Sequence, residues 1–310
     1  MRKIVMLERD NIGEDVDLSY FEQLGDLTVY GTTEYEQVKE RIGDAEVLVI
    51  NKIPMNEATQ KDAPNVKLIC VTATGTDNVD MEYCASRGIA VKNVRSYSTE
   101  SVVQHTFAMF FYLAEKLRFY DDYVKNGEYI KCPRFTYFGE HFNELSGKTW
   151  GIVGLGEIGI RVAEIATAFG CKVIYYSTSG KNNNGKYERV DFDTLLAQSD
   201  IISVHAPLNA QTKHLFTYEA FAKMKQSAYF INVGRGPIVK EGDLCRALNE
   251  NLIAGAGLDV LEKEPMVAEN PLYTIKDSKK LFITPHIAWA TKEARSRLME
   301  NVYRNIAENE

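Results

Sequence analysis

The sequence lacks a positive charge excess, cysteines at metal spacing and any long hydrophobic run, and each absence removes a class of function. Lys and Arg number 36 against 43 Asp and Glu, giving a net charge of −7 and a pI near 5.5. No basic footprint for nucleic acid or an anionic membrane is left. The longest apolar run, residues 107–114, falls far short of the roughly 20 residues a membrane span needs. The first predicted strand, at 3–7, is too short for the core of a secretory signal, and Glu8-Arg9-Asp10 follows it at once, so a cytoplasmic protein is expected. Five cysteines (Cys70, Cys84, Cys132, Cys171, Cys245) are odd in number and form no C-x-x-C, which reads as reduced thiols. The five histidines are scattered singly, so no metal site is expected.

What is present is alternation over a chain of 310 residues, long enough for two domains. Apolar runs at 4–7, 27–29, 47–50, 68–71 and 89–91 alternate with polar, helix-like segments. The rhythm resumes at 173–176, 201–204, 229–233, 255–258 and 281–284. Parallel sheets with helices on both faces read this way. Two doubly wound units are predicted, with a helical stretch at 99–118 passing from one to the other. The stretch from Ser177 through Lys181 to Gly185 reads as a flexible turn.

Between the two series stands Lys148-Thr149-Trp150-Gly151-Ile152-Val153-Gly154-Leu155-Gly156-Glu157-Ile158-Gly159, an apolar run passing into G-x-G-x-x-G. Ile160, Val162, Ala163, Ile165, Ala166 and Phe169 follow at helical spacing. A bare glycine pattern is weak, but strand, glycine turn, helix and strand in succession are the context in which it means dinucleotide binding. Gly154 permits the turn, Gly156 lets amides approach a diphosphate, and Gly159 lets helix and sheet pack closely. The helix N-terminus favours the negative charge.

In open α/β sheets, ligands gather beyond the carboxyl ends of strands. The residues that follow the predicted strands are His205-Ala206-Pro207, Gly234-Arg235-Gly236, Asp259 and Pro285-His286 in the second half. In the first half they are Asn51-Lys52 and Thr72-Ala73-Thr74-Gly75-Thr76. An arginine, a histidine and carboxylates beside a nucleotide suit hydride exchange with a carboxylate-bearing carbonyl compound.

These motifs resemble the D-isomer-specific 2-hydroxyacid dehydrogenase family. The marks are Gly154-Leu155-Gly156-Glu157-Ile158-Gly159, His205-Ala206-Pro207-Leu208, Asn232-Val233-Gly234-Arg235-Gly236, Leu258-Asp259-Val260 with Glu264-Pro265, and Thr284-Pro285-His286-Ile287-Ala288. Thr74-Gly75-Thr76-Asp77-Asn78, Gln104-His105-Thr106 and His286-Ile287-Ala288-Trp289-Ala290 are most similar to hydroxypyruvate reductases (glycerate dehydrogenases). The resemblance implies an α/β fold of two doubly wound parallel-sheet domains, a flavodoxin-like substrate domain and a Rossmann cofactor domain, separated by a cleft. The substrate domain would comprise 1–98 and 287–310, and the cofactor domain 99–286. A homodimer acting on a small 2-oxo or 2-hydroxy acid is implied as well.

The resemblance also implies roles. His286 is the acid–base group, since imidazole gives and takes a proton near neutral pH. Glu264 is its partner and would favour the protonated ring. Arg235 binds the substrate carboxylate through its forked, permanently charged guanidinium. Thr74 and Gly75 would offer backbone N–H groups to that carboxylate, while Lys52, from its place after a strand, is either a further substrate contact or a solvated lysine. Thr106, Gly154, Gly156, Glu157, Ile158, Gly159, Ser177, His205, Ala206, Pro207, Thr212, Val233, Gly234 and Asp259 join Arg235 and His286 around the cofactor. The cofactor itself is left open between NAD and NADP. The acid that normally meets the adenosine ribose is missing at Tyr175-Tyr176-Ser177, where Ser177, Thr178, Ser179 and Lys181 stand without an arginine. A rival expectation is a nucleotide-sensing protein akin to co-repressors, with little catalysis. Glu264 argues against a formate dehydrogenase, which carries glutamine there.

Overall fold

A computed structural model describes residues 1–309, and the chain divides into two compact units, Met1–Ser98 with Trp289–Glu310, and Thr99–Ala288. The return to the first unit falls at Trp289 rather than Ile287.

The first unit is a five-stranded parallel sheet in the order β2-β1-β3-β4-β5, with β1 Lys3–Met6, β2 Asp26–Val29, β3 Val47–Ile50, β4 Leu68–Val71 and β5 Ala90–Lys92. That order is the flavodoxin-like one, whose switch point lies between β1 and β3. β3 and β4 are buried at every position, which explains their unbroken Val/Ile/Leu runs: both faces are covered. Helices α1 (Val38–Ile42), α2 (Glu57–Gln60) and α3 (Met81–Ser86) connect the strands. On one face Val38, Ile42, Leu48 and Ile69 form a core. On the other, Leu298, Met299, Val302 and Ile306 of the last helix, α10 (Lys292–Ala307), pack against Ile4, Val49 and Phe21. Thr291 caps α10 by accepting from the Ala294 amide, an arrangement that satisfies one orphan donor of the first turn.

The second unit is a seven-stranded parallel sheet, β12-β11-β10-β9-β6-β7-β8. Its strands are β6 Thr149–Val153, β7 Lys172–Tyr176, β8 Glu188–Arg189, β9 Ile201–Val204, β10 Tyr229–Asn232, β11 Gly255–Leu258 and β12 Leu281–Ile283. The switch point falls between β6 and β9. The helices are α4 (Thr99–Ala114), α5 (Leu117–Lys125), α6 (Glu157–Ala168), α7 (Phe192–Gln198), α8 (Tyr218–Lys223) and α9 (Glu241–Asn249). α4 buries Phe107, Phe110 and Leu113 against Trp150 and Ile231. The helix expected to run unbroken to 118 stops at Ala114, because Lys116 turns left-handed at φ 55°. The Lys116 ammonium then bonds the Tyr229 hydroxyl at 3.2 Å and lies over its ring, fixing the break.

Candidate active site

The glycine turn is built as its sequence requires. Gly154 ends β6 at φ 90°, and a Cβ there would stand 2.8 Å from Ala206 Cα, across the switch point. A side chain at Gly159 would meet the Gly154 carbonyl at 2.3 Å. Gly156 differs: a Cβ would find nothing within 4 Å, and it precedes α6 with no side-chain cap. The first turn of α6 thus has no side-chain cap on its amides, as a helix end that receives a diphosphate requires. Glu157 begins the helix and accepts from the Thr99 hydroxyl at 2.7 Å, while Ile158 is half-buried beside it. These residues fit a nicotinamide dinucleotide.

Beyond β7 the loop makes hydrogen bonds back to the strand and the glycine turn. Ser177 is buried and its hydroxyl accepts from the Asn182 amide at 3.3 Å. The Asn182 side chain bonds the Leu155 carbonyl, and the Asn184 amide bonds the Tyr175 hydroxyl at 2.9 Å. The loop is folded back onto the glycine turn. Parallel pairing of β8 with β7 also brings an arginine where sequence offered none: Arg189 Nη1 lies 3.5 Å from the Asn182 carbonyl, and its Nη2 3.8 Å from where a Gly180 Cβ would be.

At the other end of the sheet, the ends of β11 and β12 bring His286, Glu264 and Asp259 together. His286 follows β12 in a left-handed conformation, φ 55°. Its Nδ1 donates to Glu264 Oε2 at 2.7 Å, and Glu264 Oε1 accepts from the Leu261 amide at 2.9 Å. A carboxylate only accepts, so Nδ1 carries the proton and Nε2 is the nitrogen available for exchange. Asp259, beyond β11, is buried, and its carboxylate serves the same turn. Oδ1 accepts from Thr284 Oγ1 (2.6 Å) and the Ile287 amide (2.8 Å), and Oδ2 from the Ala288 amide (2.8 Å). Its expected cofactor contact would thus use an already committed carboxylate. From α4, His105 Nε2 meets Thr284 Oγ1 at 2.9 Å, and the Ser101 hydroxyl donates to the Ala288 carbonyl at 2.6 Å.

Arg235 lies beyond β10, half-buried, with Nη1 donating to the Gly234 carbonyl at 2.9 Å. Buried Asn232 shapes this turn, accepting from the Gly234 amide and donating to the Arg235 carbonyl. Val233 and Gly234 are half-buried within it. A Cβ on Gly236 would sit 1.8 Å from the Leu261 carbonyl, so the arginine turn lies directly against the segment leading to Glu264. That segment is anchored by Glu241, which accepts from the Glu262 amide and the Asn270 side chain, each at 2.7 Å. Burial raises the Glu241 pKa. Sequence reading missed Glu241 and Asn270, which carry no motif, and gave Asn232 no role although it stood in one.

Other expected cofactor residues have occupied side chains. The Thr106 hydroxyl bonds the Val102 carbonyl of its own helix at 2.8 Å, and Thr212 holds the Pro207 carbonyl at 2.7 Å. His205 Nε2 meets Ser203 Oγ at 2.9 Å, and that oxygen accepts from Trp150 Nε1. Burial drives the His205 pKa well below its usual value, which keeps the ring neutral and removes it as an acid. Ala206 presents backbone beside Gly154, and the Pro207 carbonyl is taken by Thr212.

In the first unit, the switch point between β1 and β3 holds an internal anion. Glu8 accepts from the amides of Asn51 (2.6 Å), Lys52 (2.9 Å) and Ile53 (3.2 Å). This fixes the backbone of Lys52 and leaves its side chain exposed. Thr74 is exposed, its hydroxyl bonding the Val94 carbonyl at 3.0 Å, and Gly75 is half-buried next to it. Among the described residues, no cluster of His, Cys, Asp or Glu is arranged to hold a metal, and no helix is long and apolar enough to cross a membrane.

A family model for "D-isomer specific 2-hydroxyacid dehydrogenase, NAD binding domain" matches residues 107–288. A hydroxypyruvate reductase from Blautia hydrogenotrophica is 38% identical over 99% of this chain and 96% of its own length. Among solved structures, an acyclic imino acid reductase in complex with NADPH and D-Arg matches with a TM-score of 0.87 at 29% identity, covering 99% of this chain and 96% of that one. D-lactate dehydrogenase from Aquifex aeolicus, complexed with NAD and lactic acid, matches at 0.84 and 28% identity, covering 99% and 95%. With a glycine cradle on one side of its sheet and a carboxylate-supported histidine on the other, the chain belongs to the D-isomer-specific 2-hydroxyacid dehydrogenase family and is an NAD(P)-dependent oxidoreductase.

Proposed function

We propose that this enzyme reduces a small 2-oxo acid of the hydroxypyruvate or glyoxylate type to the D-2-hydroxy acid, with His286 as proton donor. The observation that carries the reading is the 2.7 Å contact between His286 Nδ1 and Glu264 Oε2 beyond the end of β12. A bound nicotinamide dinucleotide supplies the hydride. Gly154, Gly156, Glu157, Ile158 and Gly159 would hold its diphosphate end, with backbone at His205, Ala206, Pro207, Val233 and Gly234 along its course. Protonated His286 gives its Nε2 proton to the oxygen that becomes the hydroxyl, and Glu264 offsets the ring's charge. In oxidation the neutral ring takes that proton back. Arg235 binds the substrate carboxylate.

For the cofactor's second phosphate, the reading favours NADPH as an accepted donor alongside NADH. Support comes from the missing acid after β7 and from Arg189 and Lys181 at the loop. Thr106, Ser177, Thr212 and Asp259 act instead as scaffold, since each side chain is engaged in a hydrogen bond to the protein. A homodimer is proposed as the working form, supported by exposed apolar side chains in one stretch, Ile130 (88% exposed), Phe135 (93%), Phe138 (68%) and Phe142 (52%). The rival reading, a nucleotide sensor with little catalysis, finds no support in a relative named hydroxypyruvate reductase.

The test is loss of nicotinamide absorbance with hydroxypyruvate, glyoxylate, pyruvate and phenylpyruvate, each with NADH and with NADPH. The expected result is highest kcat/KM for hydroxypyruvate or glyoxylate with measurable use of both nucleotides. Turnover of none of the four, or a clear preference for phenylpyruvate, contradicts the reading.

A further inference from the structure

The turn that presents His286 is held in a conformation that costs energy. A non-glycine residue at φ 55° is disfavoured by about 1–2 kcal/mol, so it persists only where the surroundings over-determine it. Three anchors do so: the His286 amide on the Asp259 and Thr284 carbonyls (2.8 and 3.0 Å), the Asp259 carboxylate on the next two amides, and Ser101 on the Ala288 carbonyl. Two of the side chains that reach this turn, Ser101 and His105, come from α4. They are four residues apart and so lie on one helical face.

Proton accounting gives the contact between His105 and Thr284 a direction. The Thr284 hydroxyl has one proton, and the 2.6 Å contact with the acceptor-only carboxylate of Asp259 claims it. His105 Nε2, 2.9 Å from the same oxygen, must then be the donor. The chain runs from His105 N–H to the Thr284 oxygen, and from the Thr284 O–H to Asp259 Oδ1. Neutral His105 in this tautomer suffices, and burial, which lowers its pKa against the pull of Asp259, favours the neutral ring.

We propose that His105 and Thr284 are positioning residues for the acid–base step: their hydrogen-bond relay orients the Asp259 carboxylate that clamps the His286 turn. Neither touches reacting atoms. The relay fixes which way the Asp259 carboxylate faces, and with it the aim of the His286 ring at Glu264. The proposal rests on His286 being the acid. The titratable groups facing the turn are Glu264 from the segment after β11, Asp259 from the end of β11 and His105 from α4. Loosening the turn weakens the contact between His286 Nδ1 and Glu264 Oε2.

The experiment is the pH profile of kcat for 2-oxo acid reduction in wild type, Thr284→Val, Thr284→Ser and His286→Ala, with nucleotide Kd by fluorescence and thermal unfolding on each. Thr284→Val keeps the shape and removes the hydroxyl. It should lower kcat about tenfold and alter the pH profile, with nucleotide Kd unchanged, since small misplacements of a catalytic group are costly. Thr284→Ser should keep the wild-type profile. A Thr284→Val profile that superimposes on wild type overturns the relay, as does a Ser variant damaged as much as Val. Should Thr284→Val fail to fold, His105→Leu against His105→Gln, which keeps an N–H donor, reads the relay from its other end by the same criteria. Full activity in His286→Ala would overturn the acid assignment itself. A dead His286→Ala beside an unchanged Thr284→Val profile removes only the relay.

Discussion

At the scale of single residues, a carboxylate 2.7 Å from Nδ1 of an imidazole holds the proton on that nitrogen and fixes which way the ring faces. Glu264→Gln leaves an oxygen to accept from Nδ1 and removes only the charge. Reduction draws its proton from this ring, so the pH profile of kcat/KM should differ between this variant and wild type. Superimposable profiles would contradict the pairing. Arg235→Ala should lose substrate efficiency by about two to three orders of magnitude, as removal of a charge-assisted contact worth a few kcal/mol requires. Nucleotide Kd should hardly change, and near-normal kcat/KM would reject the carboxylate role. His205 supplies a stability prediction. Burial keeps it neutral in the folded chain, whereas the unfolded chain takes up a proton near pH 6.5. The stability this neutral ring confers is complete above that value and is lost as pH falls toward the depressed folded value, by at most about 1.4 kcal/mol per pH unit. His205→Gln should therefore lose less stability than wild type between pH 7 and pH 5. Urea midpoints that decline in parallel would show that His205 does not hold this role.

At the scale of elements, close approaches of backbone set the site. Gly236→Ala would place a methyl 1.8 Å from the Leu261 carbonyl, so either the arginine turn or the Glu264 segment must move. A cost of about 1–3 kcal/mol in stability together with a fall in kcat is expected from chemical denaturation and steady-state rates. Unchanged values for both would mean that the two segments are not mutually braced. The short strand β8 carries a second prediction: Arg189→Glu should lower the NADPH-to-NADH ratio of kcat/KM at least tenfold. A constant ratio would remove Arg189 from the phosphate end.

The same elements explain what sequence could and could not convey. Long apolar runs such as 47–50 and 201–204 announced their strands because both faces of a parallel sheet are buried. The glycine spacing announced the turn because Gly154 and Gly159 have no room for a side chain. β8 was invisible, since Glu188-Arg189 has no apolar pattern and is defined only by pairing with β7. The break at Lys116 was hidden too: Glu115-Lys116-Leu117-Arg118 are all helix formers, and tertiary contacts override them. Asp259 and His105 stood in recognisable motifs, yet their hydrogen-bond partners are set by how β11, β12 and α4 meet.

At the scale of the whole molecule, a soluble chain rarely leaves several aromatics uncovered in one stretch unless something covers them. A second copy is the proposed cover, so light scattering should give a dimer mass for wild type. Phe135→Asp combined with Ile130→Asp should shift it toward monomer with little loss of unfolding temperature, because neither side chain is buried within one chain. A monomeric wild type would contradict this. The account as a whole depends on one reaction at one ring. The most direct measurement is the turnover of hydroxypyruvate and of glyoxylate with NADH and NADPH by wild type and by His286→Ala, with nucleotide Kd determined on both. The account predicts that His286→Ala binds nucleotide as wild type does and loses about 10²–10⁴-fold in kcat. A variant that reduces either acid at close to the wild-type rate would contradict it.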